Sequence, residues 1–388
     1  MRKGLIFLLL FSLVLSGCGL IQTSETPTAS TTLSSPSPTT TSSVPTSSPT
    51  AGWTGLSITW TQIEQGNFPP DRFDYDLTYD SKRDRLLFFG GATTEAGVPL
   101  KDLWAFDFST NLWELLSEGK ELLSPLLYPH PDSPREIVYD PLKDRLLLFQ
   151  CSPSREPQLA EENQSLLSSD THSPTSEYEV QVYAFNFEGN GWTQLDPPSK
   201  PPDSIAWFNT VWDSRNDQVF LLGEYLWAFD CREDYWRELT DDITLPGKYP
   251  LNLGPSSYDP REDRLLLLKR RTDDENLFDI SACKLPGSSW VDLKSLNPPS
   301  FRGLRYVAYD PRFHVLILPG GGNWGETGFH PEIWIYDLGG NTWSYCGDLP
   351  SNSREQLIVP GKPGEAYILT TDAEVQSYHK LWQLTLSP

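Results

Sequence analysis

Apolar residues in this chain fall into short runs, rich in Leu and aromatic residues, separated by polar turns, and one arrangement of these runs recurs along most of its length. An aromatic-Asp pair opens each unit. A polar turn, a Leu-rich run, a loop of variable length, a run with an aromatic-x-x-Asp pattern and a closing Trp follow. The copies read "TYDSKRDRLLFFGG" with "LWAFDFSTNLWELL", "VYDPLKDRLLLF" with "VYAFNFEGNGWTQL", "VWDSRNDQVFLLG" with "LWAFDCREDYWREL", "SYDPREDRLLLL" with "ISACKLPGSSWVDL", and "AYDPRFHVLILPGGG" with "IWIYDLGGNTWSYC". Apolar runs of this length between turn formers predict β-strands, and no segment sustains the 3.6-residue period of an amphipathic helix.

The second half of each unit has a fixed length. Trp104 stands nine residues before Trp113, Tyr183 nine before Trp192, Trp227 nine before Trp236 and Trp334 nine before Trp343, and the degenerate fourth unit keeps the interval between Ser281 and Trp290. A two-stranded hairpin with a set turn enforces such a distance, because a slip of one residue moves every side chain to the other face. The first-half turns have a readable cause as well: in 140–144 and 259–263 an Asp can accept backbone N–H bonds while the Pro after it presets φ for a type I turn.

A weaker sixth copy, "EQLIVPGKPGEAYILTT" followed by "KLWQLTLSP", ends the chain without its closing Trp. The missing strand is found at the other end, where Trp60-Thr61-Gln62-Ile63 matches Trp192-Thr193-Gln194-Leu195. The closing tryptophans Trp60, Trp113, Trp192, Trp236, Trp290 and Trp343 therefore predict an all-β, six-bladed propeller in which an N-terminal strand completes the last blade.

The units resemble the kelch repeat, which carries a Gly-Gly pair after its second strand and spaced aromatics in its third and fourth. Gly90-Gly91 and 320–322 match the pair; Gln150-Cys151, Lys269-Arg270 and Thr370-Thr371 replace it in three units, and Gly223 stands alone in another. The resemblance, which spans 53–386, implies a galactose oxidase/kelch-like propeller. It leaves function open, since propellers of this kind serve as enzymes, adaptors and adhesion modules.

The ends of the chain add a compartment. Arg2 and Lys3, an apolar run over 4–15 and Leu15-Ser16-Gly17-Cys18 resemble a bacterial lipoprotein signal and lipobox, implying a signal peptide over 1–17 and a lipidated Cys18. The Ser/Thr/Pro-rich stretch within 18–52 has too few apolar groups to offset the entropy of ordering and reads as a tether for a propeller over 53–388. The expected location is extracytoplasmic, lipid-anchored to the cell membrane or outer membrane. Disulfides are permitted there, and Cys151, Cys231, Cys283 and Cys346 read equally as disulfide partners or as buried thiols.

Composition and charge narrow the partners. Fourteen Trp, 16 Tyr and 18 Phe with 34 Pro and 27 Gly suit strands and turns, and a formal net charge of −22 argues against nucleic acid, which needs clustered Lys and Arg. No cofactor or metal is expected: His130, His172, His314, His330 and His379 are scattered without ligand spacing, and the acidic run 273–275 with Asp279 lacks the alternation of a calcium loop.

In a kelch-like blade the connections between blades and between second and third strands share one face. Here they are the longest and least regular segments, so a binding site is expected on that face. The candidates are Arg72, Arg135 and Arg305, which precede or begin first strands with Arg302 and Arg354, and Asn323, Trp324, Glu326 and His330 in "GGGNWGETGFHPE". Convergent guanidiniums suit a carboxylate, and Trp among polar groups suits a sugar. With no nucleophile motif or catalytic spacing, the expected function is a binding module for a glycan or protein partner. The alternative is an extracytoplasmic enzyme of epimerase or lyase type acting on acidic sugars.

Overall fold

The computed structural model describes residues 55–94, 97–122, 135–153, 178–201, 208–223, 225–240, 254–285, 289–322, 329–349, 353, 356–371 and 379–388. The signal peptide expected over 1–17, Cys18, most of the tether expected over 18–52 and most of the insert between Ser152 and Tyr178 lie outside them. Among the described residues every regular element is a β-strand.

Six four-stranded antiparallel sheets form the six blades. Blade 1 is Asp76–Asp80, Arg85–Phe89, Leu103–Asp107 and Leu112–Ser117; blade 2 is Arg135–Asp140, Arg145–Pro153, Tyr178–Asn186 and Gly191–Leu195. Blade 3 is Asn209–Asp213, Gln218–Leu222, Leu226–Asp230 and Tyr235–Thr240; blade 4 is Ser256–Asp259, Arg264–Arg270, Phe278–Lys284 and the short Val291–Asp292. Blade 5 is Ala308–Asp310, Val315–Leu318, Glu332–Asp337 and Thr342–Asp348. Blade 6 joins both ends of the domain: Gln356–Pro360, Glu365–Thr371 and His379–Ser387, with Ser57–Ile63 as the fourth strand. That last strand pairs from Ser57 opposite Ser387 to Ile63 opposite Leu381, which sets Trp60 opposite Leu384 as Trp192 is set opposite Phe185. The first strands of successive blades touch in order around the ring, and blade 6 touches blade 1.

Both faces of every sheet are buried, which is why the second strands are continuous apolar runs rather than alternating ones. In blade 1, Leu86 and Phe88 face blade 6 while Leu87 and Phe89 face blade 2. Six apolar layers result, one between each pair of neighbours, and each holds a closing Trp: Trp113, Trp192, Trp236, Trp290, Trp343 and Trp60.

The turn between first and second strands works as the Asp pattern predicts. Asp140 is fully buried; its Oδ1 accepts the N–H groups of Leu142 (3.0 Å) and Lys143 (3.2 Å), and its Oδ2 accepts Arg145 Nε at 2.8 Å. Asp80, Asp213 and Asp259 repeat the arrangement with Arg85, Gln218 and Arg264. Each turn closes on an Asp with φ of 51° to 54°, namely Asp84, Asp144, Asp217 and Asp263, a left-handed conformation that Asp tolerates. Clamps between blades complete this face, such as Arg83 on Asp144 (2.7 and 2.9 Å) and His314 on Asp259 (3.0 Å). It is a structural face.

Cys151, Cys231 and Cys283 are buried, and burial pushes the Cys151 thiol up to about 12.

Candidate functional site

At the opposite end of the first strands, side chains from three blades meet on one carboxylate. Asp76, at the head of the first strand of blade 1 and only 1 % exposed, accepts Arg135 Nε of blade 2 at 3.1 Å on Oδ2. On Oδ1 it accepts Arg305 Nη2 at 3.1 Å and the Tyr306 hydroxyl at 2.9 Å, both from the segment entering blade 5. Blade 6 stands between blades 1 and 5 in the ring, so these bonds span the propeller axis. Arg135 also donates from Nη2 to the Asp74 carbonyl, and Arg305 Nη1 lies 4.0 Å from Asp74 Oδ1. Asp74 reaches this place with φ of 53°.

Glu136 completes the cluster. Desolvation among the crowded strand heads, followed by the charge of Asp76, pushes its carboxyl up to about 8, against the pull of Arg305 and Arg135 and a hydrogen bond with Tyr306. Burial likewise holds the Tyr306 phenol well above its ordinary value. The site still meets water, because the Arg305 side chain remains 42 % exposed. At neutral pH it therefore presents two guanidiniums, two carboxylates, a protonated carboxyl and a phenol, a set able to bind a polar ligand and to give or take a proton.

The candidates divide. Arg135 and Arg305 converge at the axis. Arg72 does not reach it: the side chain is fully enclosed, forked onto Asp102 at 2.5 and 2.9 Å and donating to the carbonyls of Pro70 and Gly90 at 2.9 Å each. It is an internal brace of blade 1, a correction to its assignment as a ligand contact. Arg302 repeats the brace on Glu332 at 2.9 Å, and its buried Nε has no partner among the described residues. His330 joins that pair through Nδ1, 3.4 Å from Glu332 Oε2, in the short ladder Phe329–His330 with Gly321–Gly322. Asn323, Trp324, Glu326 and Arg354 lie outside the described residues.

The glycine pairs serve packing. A Cβ on Gly91 would stand 2.8 Å from the Phe73 carbonyl oxygen and 3.2 Å from the Arg72 side chain, and one on Gly320 would collide with the His330 carbonyl. The close approach that these glycines permit is that of the chain to itself. The acidic run is also accounted for: Asp273 pairs with Arg271 at 2.8 Å, and Asp279 is buried, accepting the N–H of Ser295 at 3.2 Å. Among the described residues no group of three or more His, Cys, Asp or Glu is placed to hold a metal ion.

Asp76, Glu136 and Tyr306 are functional candidates that reading the chain linearly passes over. Alignment on the turn Asp reveals them. Each stands four residues before the turn Asp of its own unit, Asp80, Asp140 or Asp310, and Arg135 and Arg305 each stand five before. A concavity of about 460 Å³ lies beside the closure seam, lined by Gln62, Glu64, Phe68, Pro70, Asp71 and His379 among others. His379 stacks on Phe68 at 4.6 Å and lies 3.2 Å from the Tyr75 hydroxyl, and burial, with Arg72 nearby, lowers it to about 4.

No protein-family model matches the chain, and a search of curated proteins found no relative. Among solved structures, that of YjhT superimposes with a TM-score of 0.50 at 12 % identity, covering 84 % of this chain and 100 % of that one. The likeness is one of fold, and this chain is a six-bladed β-propeller.

Proposed function

We propose that the chain is an envelope lipoprotein, lipidated at Cys18 and carried on the tether 18–52, whose kelch-type propeller binds a glycan at the axial cluster on the long-loop face without chemical turnover. The observation that carries the reading is the meeting of Arg135, Arg305, Tyr306, Asp76 and Glu136 from three blades at one point that water reaches. Polar planar groups held rigidly on strand heads are what sugar hydroxyls require, and the opposite face is occupied by its own turns and clamps. The anchor reading rests on the sequence alone. A Cys18→Ser variant should leave the membrane fraction and lose label from a tagged fatty acid. A glycan array probed with the full chain and with R135A/R305A and Y306F variants tests the site; signal that survives both variants excludes the axial cluster.

A second reading, an enzyme of epimerase or lyase type acting on acidic sugars, has one observation in its favour. Glu136 is held protonated near neutrality beside a phenol, the condition of a general acid. A turnover screen with sialic acid and uronate substrates separates the two: product formation abolished in E136Q supports the enzyme.

A further inference from the structure

Resting on the reading of the axial cluster as the ligand site, we infer that this site takes an uncharged, hydroxyl-rich ligand, a neutral oligosaccharide, and turns away carboxylate-bearing ones. The two arginines that point to an acidic ligand are already matched. Asp76 carries Arg135 on one oxygen and Arg305 on the other, and Asp74 faces both, through its carbonyl and its carboxylate. An anionic ligand would have to displace two carboxylates built into the strand heads, one of them almost fully enclosed. The approach is also unfavourable for anions, because the chain carries a formal charge of −22. Cations meet the converse obstacle in Arg305, the exposed guanidinium of the cluster.

What remains for a ligand is uncharged. Tyr306 donates its single proton to Asp76 Oδ1, and burial beside the Asp76 charge keeps Glu136 protonated against the pull of that phenol. Glu136 then offers ligand hydroxyls a neutral carbonyl acceptor beside the N–H edge of Arg305. The groups facing Glu136 are Asp76 from blade 1, Arg135 from its own strand, and Arg305 and Tyr306 from the entry to blade 5. Burial and the Asp76 charge bring the ionisation of Glu136 to the edge of neutrality. Its ionisation, centred near pH 8, leaves the cluster with a net negative charge.

Titration calorimetry on the purified full chain tests the inference with four probes: maltotetraose and chitotetraose as neutral ligands, tetragalacturonate and sialyllactose as acidic ones. The expected result is binding of a neutral probe with an affinity that shifts less than about twofold from about 50 to about 500 mM salt. That affinity should weaken by up to about tenfold for each pH unit above 8 in the wild type, and stay level across the same range in E136Q. Preferential binding of an acidic probe, weakened by salt and lost in R305A, overturns the ligand class while leaving the cluster as a site. If none of the four probes binds and the chain instead captures a protein in pull-down, the glycan reading falls and this inference with it.

Discussion

Replacing Glu136 by Gln should stabilise the protein, and by an amount that depends on pH. Gln keeps the size and the neutral hydrogen bonding of the protonated acid but cannot ionise. In the unfolded chain the carboxyl titrates at its ordinary 4.5, and in the fold at about 8. Below 4.5 the acid is protonated in both states and costs nothing. Between the two values folding must take up a proton, so the wild type loses stability as pH rises, at about 1.4 kcal/mol per pH unit. At pH 7 the full shift amounts to about 3 kcal/mol, and above 8 the penalty is complete. Water in the funnel screens part of it, and a relief of about 1–2 kcal/mol at pH 7 is the working expectation. Urea unfolding of both proteins at intervals from pH 5 to about pH 9 measures it. The curves should meet near pH 5 and diverge up to about 8. Parallel curves throughout would mean that Glu136 ionises as a solvated acid, and its place in the buried cluster would be lost.

Four further outcomes follow, one from the same cluster and three from other parts of the fold. Asp76→Ala strips the acceptor from Arg135, Arg305 and Tyr306 together and should lower the unfolding free energy by about 3–5 kcal/mol, read by denaturant titration; a loss under 1 kcal/mol would show that the hub is slack. Trp60→Ala, at a position 6 % exposed in the layer between blades 5 and 6, should cost about 3–5 kcal/mol and raise hydrogen exchange first in Ser57–Ile63 and His379–Ser387. Cys151, Cys231, Cys283 and Cys346 should react with an aromatic disulfide reagent only after unfolding, with no change on prior reduction. His379 is held neutral by burial, so its contribution is present above 6.5 and lost as pH falls towards 4, a loss of about 3 kcal/mol that His379→Gln should largely remove.

The parts of this molecule that could be read from its sequence are those repeated in every blade. Five copies of one hairpin interval disclosed the register of third and fourth strands, and the buried Asp turns and the seam at Trp60 followed from comparing copies with one another. The axial cluster escaped because it is made of differences between copies. At the strand-head position four residues before the turn, blade 1 has Asp76, blade 2 Glu136, blade 5 Tyr306 and blade 6 Gln356, and no single copy shows that these residues meet. Arginines illustrate the point most sharply. Arg72 and Arg302 stand eight residues before their turn Asp, and each bonds the acid at or just before the start of its blade's third strand, Asp102 or Glu332. Arg135 and Arg305 stand five before, where the carboxylate that each one bonds belongs to another blade. Residue type and proximity to a first strand are the same in all four. Only the offset from the turn, three residues or about 10 Å of extended chain, separates a brace from a funnel-lining donor.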